Sequence, residues 1–334
     1  MTNKTFEDAP GTSILDIEIK NDKPSYTVNT IGVIKREYPG AHLFLLVGTD
    51  MYLSLGTWKD SRTLLSIVTP AVFSRSAEDN QKIHDYSLIL QEMYGADTKI
   101  INNCVVDISS SALREMLPKR EGAGYIADTT YSYIIKGRLY GAKPEWDWLR
   151  ARAYELLSPQ RIPHVFGCEY EAMRLAARWG ANADDAREAA ILHDITKKST
   201  LEENVRILGE HGIMVGKIEY AEEKLLHSKS GAALAKSMFG VTDEVAAAIM
   251  WHTTGRAGMS ILEKVMYLAD YIEPERDFPG VAGLRRAAYE DIDAAMIMGL
   301  EMSIRDITER GITPNRTTFD ALDYLTLVKE GKNK

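Results

Sequence analysis

Six side chains in the second half of this 334-residue chain are of the types that ligate first-row metals: His164, the adjacent pair His193-Asp194, His227, His252 and Asp270. The chain has seven histidines, at 42, 84, 164, 193, 211, 227 and 252, and four of them fall in this one ordered series. Imidazole and carboxylate suit iron, manganese and zinc. A carboxylate has two oxygens, so Asp194 can reach the same centre as its neighbour His193 and bridge two ions. Lys197 lies four residues after His193 and three after Asp194, which on a helix puts all three on one face. An ammonium there can hold a phosphate oxygen as a point charge. Taken singly, each residue has an ordinary explanation, such as a histidine satisfied in a core or Asp270 paired with Arg276. The ordered set points instead to a metal centre. Six ligands exceed what one tetrahedral ion requires, so two metal ions, divalent or of mixed valence, are expected. Such ions lower the pKa of bound water from 15.7 to about 7 and clamp phosphoryl oxygens, so no serine or cysteine nucleophile is needed. Asp194 and Lys197 are the catalytic candidates. Lys197, Arg256 and Arg276 are candidates for holding substrate phosphates, together with the turn Thr253-Thr254-Gly255, whose backbone N–H groups suit an anion.

The segments carrying these residues read as helices. EYEAMRLAARWG, DDAREAAILHDITKK, HSKSGAALAKSMFG, DEVAAAIMWH and ILEKVMYLADYIEP each place apolar residues three and four apart. From Trp146 to Lys334 no alternating strand pattern occurs, so this domain should be all-α. The first part of the chain differs. Strands are expected at 14–19, at 42–48 (an apolar run typical of burial on both faces), at 71–75, and as a pair at 99–101 and 104–108. Helices are expected at 25–40, 57–66, 80–94, 110–117 and 128–137. This alternation predicts an α/β domain with a mostly parallel sheet. Gly141–Pro144 is the natural boundary, giving domains 1–141 and 146–332.

Composition removes several function classes. A formal net charge of -8 argues against a general nucleic-acid binder. It leaves small anionic substrates open, because bound metal supplies positive charge locally. The two cysteines, Cys104 and Cys168, form no paired motif, which suits a reducing cytoplasm. The N-terminus lacks the apolar core of a signal peptide, and no apolar run approaches the roughly 20 residues that span a bilayer. A cytoplasmic protein without a membrane partner is expected.

RIPHVFGCEYEAMRLAARWG, AAILHDITKK, LLHSKSGAALA and IMWHTTGRAGMSILEKVMYLADYIEPERDFPGV resemble the HD-domain phosphohydrolases. Within them the chain is similar to the YqeK-type symmetrical bis(5'-nucleosyl)-tetraphosphatases, over roughly residues 147–330. The HTTGR…EKV…LADYIEP stretch is the most specific part of the match. The resemblance implies a binuclear site, iron first and manganese second, bridged by Asp194. His164, His193 and Asp270 would hold one ion, and His227 and His252 the other. The implied substrate is a dinucleoside polyphosphate, diadenosine tetraphosphate, cleaved to two ADP.

The first domain carries a resemblance of its own. SYTVNTI, LLVGTDMYLSLGTWKD and ISSSALREMLPKREGAGYI are similar to the second half of nicotinate-nucleotide adenylyltransferase, a nucleotidyltransferase with a Rossmann-like parallel sheet. Gly48, Asp50 and Trp58 match that family's GxD…W element. Ser109, Ser110, Ser111 and Arg114 match its ISSTxIR element at a helix start, where free N–H groups favour an ATP phosphate. Tyr26 and Thr27 match the SYT near its nicotinate end. The family's GGxFxPxHxGH segment, whose histidines serve ATP's phosphates, matches nothing here, so adenylyl transfer by this chain is not expected. A partial sheet exposes an edge and an apolar face, which makes a homodimer or pairing with a missing N-terminal half an expected partner arrangement. The rival readings are an adenylyltransferase of NAD biosynthesis lacking its first half, bifunctional when complete, and a module that binds nucleotide without chemistry.

Overall fold

The computed structural model describes every residue except 8, 21–23, 75, 77, 107, 215–222 and 333–334. The chain packs as two compact units, Phe6–Leu113 with Thr2, and Arg114–Lys334 with Met1 and Asn3–Thr5.

The first unit is an α/β layer. Strands β1 (Leu43–Gly48), β2 (Val68–Phe73) and β3 (Lys99–Ile101) form a parallel sheet in that order, with Leu43 opposite Val68 and Ala71 opposite Lys99. Its main helices are α1 (Thr27–Glu37), α2 (Ser61–Ile67) and α3 (Asp79–Tyr94). Val47, Tyr52, Leu55, Leu65, Val72, Ile83 and Leu90 make the core. Three expectations need correction. β1 is buried on one face, not both: side chains alternate across a strand, and Phe44 and Leu46 remain 51% and 66% exposed while Val47 joins the core. Residues 14–19 form coil and turn, with Ile19 88% exposed. Cys104–Val106 and Ile108 form no strand either, and Asp107 lies outside the described residues, as does Arg75 beyond β2. Apolar and β-branched residues favour a strand only where a neighbouring ladder accepts their backbone groups, and these segments have none among the described residues.

Helix α4 (Ser110–Met116) leads into the second unit, which is entirely helical among the described residues. It comprises α5 (Asp128–Lys136), α6 (Trp146–Glu155), α7 (Ile162–Trp179), α8 (Ala183–Leu192), α9 (Leu201–Glu210) and α10 (Glu223–Phe239). Then come α11 (Asp243–Trp251), α12 (Ile261–Ile272), α13 (Val281–Glu290), α14 (Ile292–Glu309) and α15 (Arg316–Lys332). Helix starts follow side-chain capping. Asn182 accepts from Asp184 and Asp185 N–H at the head of α8, and Thr200/Glu203 and Ser260/Glu263 form capping boxes on α9 and α12. Gly180, left-handed at φ 74°, stops α7. Helix α7 packs on α8 and α12, and α11 packs on α8, α10 and α12. Small residues bring these helices close: a Cβ on Gly231 of α10 would lie 3.3 Å from Thr196 Oγ1 and 3.4 Å from the His193 carbonyl.

The sequence pattern changes at 141–144, whereas the packing divides the chain at Leu113/Arg114. Buried Glu188 of α8 explains why: it receives Arg120 at 3.1 Å and Arg138 at 2.9 Å. Between the guanidiniums of Arg120 and Arg187 lies the Trp146 ring, 3.6 and 4.3 Å from them. Residues 114–146 are therefore tied to the helical core by charge and stacking.

Candidate metal centre

The six candidate donors come from three helices and from the turns that follow two others. His164 sits in the first turn of α7 behind Pro163, His227 on α10, His252 in the turn just past the end of α11 and Asp270 near the end of α12. Helix α8 ends at Leu192, so His193 and Asp194 occupy the turn that follows it and not a helix interior. There the backbone tightens, with Lys197 N–H donating to Asp194 O at 2.8 Å and Ser199 N–H to Thr196 O at 3.0 Å. The Thr196 hydroxyl donates to the His227 carbonyl at 2.8 Å, locking this turn to α10. Helix α9 intervenes between Asp194 and His227.

The donors converge. His164 Nε2 lies 3.0 Å from Asp270 Oδ1 and 3.3 Å from His193 Nε2. His227 Nε2 lies 3.3 Å from His252 Nε2. Asp194 stands between the two sets: Oδ2 faces His193 Nε2 at 3.4 Å, and Oδ1 faces His227 at 3.2 Å and His252 at 3.7 Å. Donors about 2.0–2.2 Å from one ion and 90–110° apart are separated by about 2.9–3.6 Å, the range most of these pairs fall in. Asp194 is wholly buried and its Oδ1 makes no hydrogen bond of good geometry. A buried anionic oxygen without a donor is costly, and a cation is the partner that its neighbours leave it. The residues therefore fit divalent metal.

The imidazoles are pre-oriented. His193 Nδ1 donates to Ala190 O at 2.7 Å and His252 Nδ1 to Ile249 O at 2.6 Å. A carbonyl can only accept, so Nδ1 carries the proton and Nε2 presents its lone pair to the centre. His164 Nδ1 is held at 3.0 Å by Glu273, a buried carboxylate. Arg161 was missed altogether. Its Nε donates to Asp194 Oδ2 at 2.5 Å and its Nη2 lies 3.9 Å from Asp270. The only sequence cue was a basic residue three positions before His164. Burial drives His227 down to about 4, so it is a neutral donor at physiological pH.

Glu273 can approach His164 because Gly167 has no side chain: a Cβ there would meet Glu273 Oε2 at 2.6 Å. Gly167→Ala should gain about 1 kcal/mol of helix propensity but displace Glu273. Losing an outer partner of a ligand costs about 10- to 100-fold in metal affinity. Competition against a chelator reads this directly, and unchanged affinity would show that the Glu273 contact is dispensable.

The expected phosphate contacts divide. Lys197 Nζ reaches the centre, 3.0 Å from His227 Nε2 and 3.8 Å from Asp194 Oδ1. Arg276 also arrives there, bonded through Nη2 to Asp270 Oδ1 at 2.8 Å and through Nε to its carbonyl at 2.9 Å. Arg256 is otherwise engaged: Nε and Nη2 are bound to buried Glu263 at 2.6 and 2.9 Å, and Nη1 donates to Ala257 O. Thr253 bonds Ser228. Thr254 is buried and donates to Gly255 O. The Gly255 N–H is taken by Trp251 O, so it is not offered to phosphate. In the α/β unit, Tyr26, Thr27 and Trp58 line a cavity of about 240 Å³ with Ser25, Met51 and Lys59. Gly48 ends β1 and Asp50 lies on the short helix Thr49–Leu53 that follows it. Ser109 caps the head of α4, accepting from Ala112 N–H at 3.0 Å, with Ser110, Ser111 and Arg114 on the helix itself.

The HD domain family matches residues 161–275. The symmetrical bis(5'-nucleosyl)-tetraphosphatase of Bacillus subtilis (strain 168) is 40% identical over 170 residues, which are 51% of this chain and 91% of that enzyme. The chain belongs to the symmetrical bis(5'-nucleosyl)-tetraphosphatase family. Like other tetraphosphatases of this family, it is an HD-type hydrolase. A crystal structure of an HD superfamily hydrolase involved in NAD metabolism, from Clostridium acetobutylicum, matches with TM-score 0.54 and 35% identity, covering 55% of this chain and 98% of that one. A probable nicotinate-nucleotide adenylyltransferase/Ap4A hydrolase of Mycoplasma pneumoniae is 25% identical across 79% of this chain and 69% of its own. That relative's name pairs an Ap4A hydrolase with the adenylyltransferase that the first domain resembles. No helix among the described residues is long and apolar enough to cross a membrane.

Proposed function

We propose that the chain hydrolyses dinucleoside tetraphosphates symmetrically, giving two ADP from diadenosine tetraphosphate at a centre of two metal ions. The observation that carries this reading is the placement of Asp194, whose two oxygens face separate groups of imidazoles. His164, His193 and Asp270 are assigned to one ion, His227 and His252 to the other, and Asp194 to both. When bound, the ions supply Lewis acidity to phosphoryl oxygens and acidify water. The chain's own groups position the substrate. Lys197 grips a phosphate oxygen at the mouth of the centre, and Arg276 steadies Asp270 from outside. Arg256 acts through Glu263, fixing the turn after His252 more than touching substrate. Iron is assigned to the site ahead of manganese, in keeping with its imidazole and carboxylate donors. We assign residues 1–141 to an adenylyltransferase-like domain and 146–332 to the phosphohydrolase, place the protein in the cytoplasm, and give the exposed sheet face of the first domain to a second copy or to an N-terminal half.

Symmetric cleavage requires the tetraphosphate to be centred, so that attack falls on an inner phosphorus. At partial completion, resolved nucleotides should be ADP alone. Equal AMP and ATP would overturn the symmetric assignment. Elemental analysis should find about two metal ions per chain, and a strong chelator should abolish turnover.

A further inference from the structure

We propose that Thr196 is a positioning residue for the ion of His227 and His252. Bonded to Ser230 and Asn204, it sets the distance between the turn that carries His193 and Asp194 and the helix that carries His227. The inference rests on the two-ion reading of the centre and assigns the residues that keep its two halves in register. Helix α8 ends at Leu192, and beyond it the chain is held by single turns. The Thr196 hydroxyl donates to the His227 carbonyl at 2.8 Å, and its oxygen accepts from the Ser230 hydroxyl at 2.9 Å. The Ser230 proton is shared with Asn204 Oδ1 at 2.6 Å, while Asn204 Nδ2 donates to Ser199 O at 3.2 Å, farther along the same turn. All three side chains are buried, and they tie together the turn, α9 and α10. A second feature fixes the same spacing. Gly231 lets α10 come so close that a Cβ there would lie 3.3 Å from Thr196 Oγ1 and 3.4 Å from the His193 carbonyl. Burying three polar groups costs desolvation free energy that apolar residues of equal volume avoid. Filling the core explains their volume, but not why their bonds converge on the turn and on the His227 carbonyl. The spacing they set is that between Asp194 Oδ1 and His227 Nε2, which are 3.2 Å apart. The turn has another anchor, His193 Nδ1 on Ala190 O of α8. Without Thr196 it therefore moves away from α10, which loosens the ion of His227 and His252 and leaves the ion of His164, His193 and Asp270 in place.

Metal retention by the full chain loaded with manganese(II) tests this. After passage over a chelating resin, wild-type protein should keep about two ions and Thr196→Val about one, the weaker ion's affinity falling about 10- to 100-fold as for loss of an outer partner. Thr196→Ser retains the hydroxyl and should keep both ions. Excess manganese should return most of the lost turnover to Thr196→Val, which a general loss of packing would not allow. The valine strands no donor, since Ser230 still donates to Asn204 and the His227 carbonyl keeps its helical N–H. The metal-free variant should therefore unfold close to the wild-type temperature. Gly231→Ala is the second arm. It keeps Thr196 and favours the helix, while its methyl group presses on the turn, and it should release the same single ion. If Thr196→Val does not fold, Gly231→Ala decides by the same measurement. Variants that hold both ions as tightly as wild type, or that lose both together, would overturn the positioning role and leave the phosphohydrolase reading standing. A wild-type protein that holds no more than one ion would overturn the two-ion reading and this inference with it.

Discussion

Asp194→Ala is expected to strip both ions and lower hydrolysis by more than about a thousandfold, beyond the 10²–10³ typical of losing one transition-state contact. The carboxylate is completely buried, and each of its oxygens faces a different pair of imidazoles. Its removal takes a donor from both ions at once and leaves Asp270 as the single carboxylate in the cluster. It also leaves the Arg161 guanidinium, now bonded to Asp194 Oδ2, without its anion. His164→Ala removes one donor from one ion, so its effect should be smaller. The two variants measured side by side, for metal content and initial rate, decide the matter. Equal losses, or a larger loss at His164, would mean that Asp194 does not serve both ions.

Lys197→Ala should lower turnover by about 10²–10³ while metal content stays near normal. The ammonium sits 3.0 Å from His227 Nε2 with its side chain 38% exposed, at the rim where a phosphate oxygen can arrive. Burial lowers its pKa, while Asp194 and Asp270 pull the other way. Lys197→Arg should recover only part of the rate, because a planar fork does not occupy the position of a compact ammonium. Loss of the metals in Lys197→Ala would show that the lysine holds the centre together and has been assigned the wrong task.

The clustering of the six candidate donors was legible in the sequence because their chemistry is strict: few residue types bind first-row metals, and helices position them at predictable turns. The helix starts were legible for a similar reason, since Asn182, Thr200 and Ser260 cap through local hydrogen bonds. Glu273 and Arg161 were not, because their roles depend on where the end of α12 meets the start of α7. No local pattern encodes that meeting. Gly167 looked like an ordinary helix residue until its missing Cβ proved to be the space Glu273 needs. Residues 14–19 carry a strand's composition, but composition does not supply a neighbouring ladder. The long-range pull of Glu188 on Arg120 and Arg138 likewise moved the packing boundary away from the visible change in pattern.

The hydrogen bonds behind the imidazoles divide the centre into parts that evolution can and cannot spoil. His193 and His252 are aimed by main-chain carbonyls of Ala190 and Ile249. Every amino acid carries such a carbonyl, so single-residue drift at those two positions leaves the aiming group in place as long as the helix end survives. His164 is aimed by a side chain, Glu273, which in turn depends on the absence of another at Gly167. Mutational fragility is thus concentrated at His164. A lineage losing function by small steps would lose the grip of His164 first.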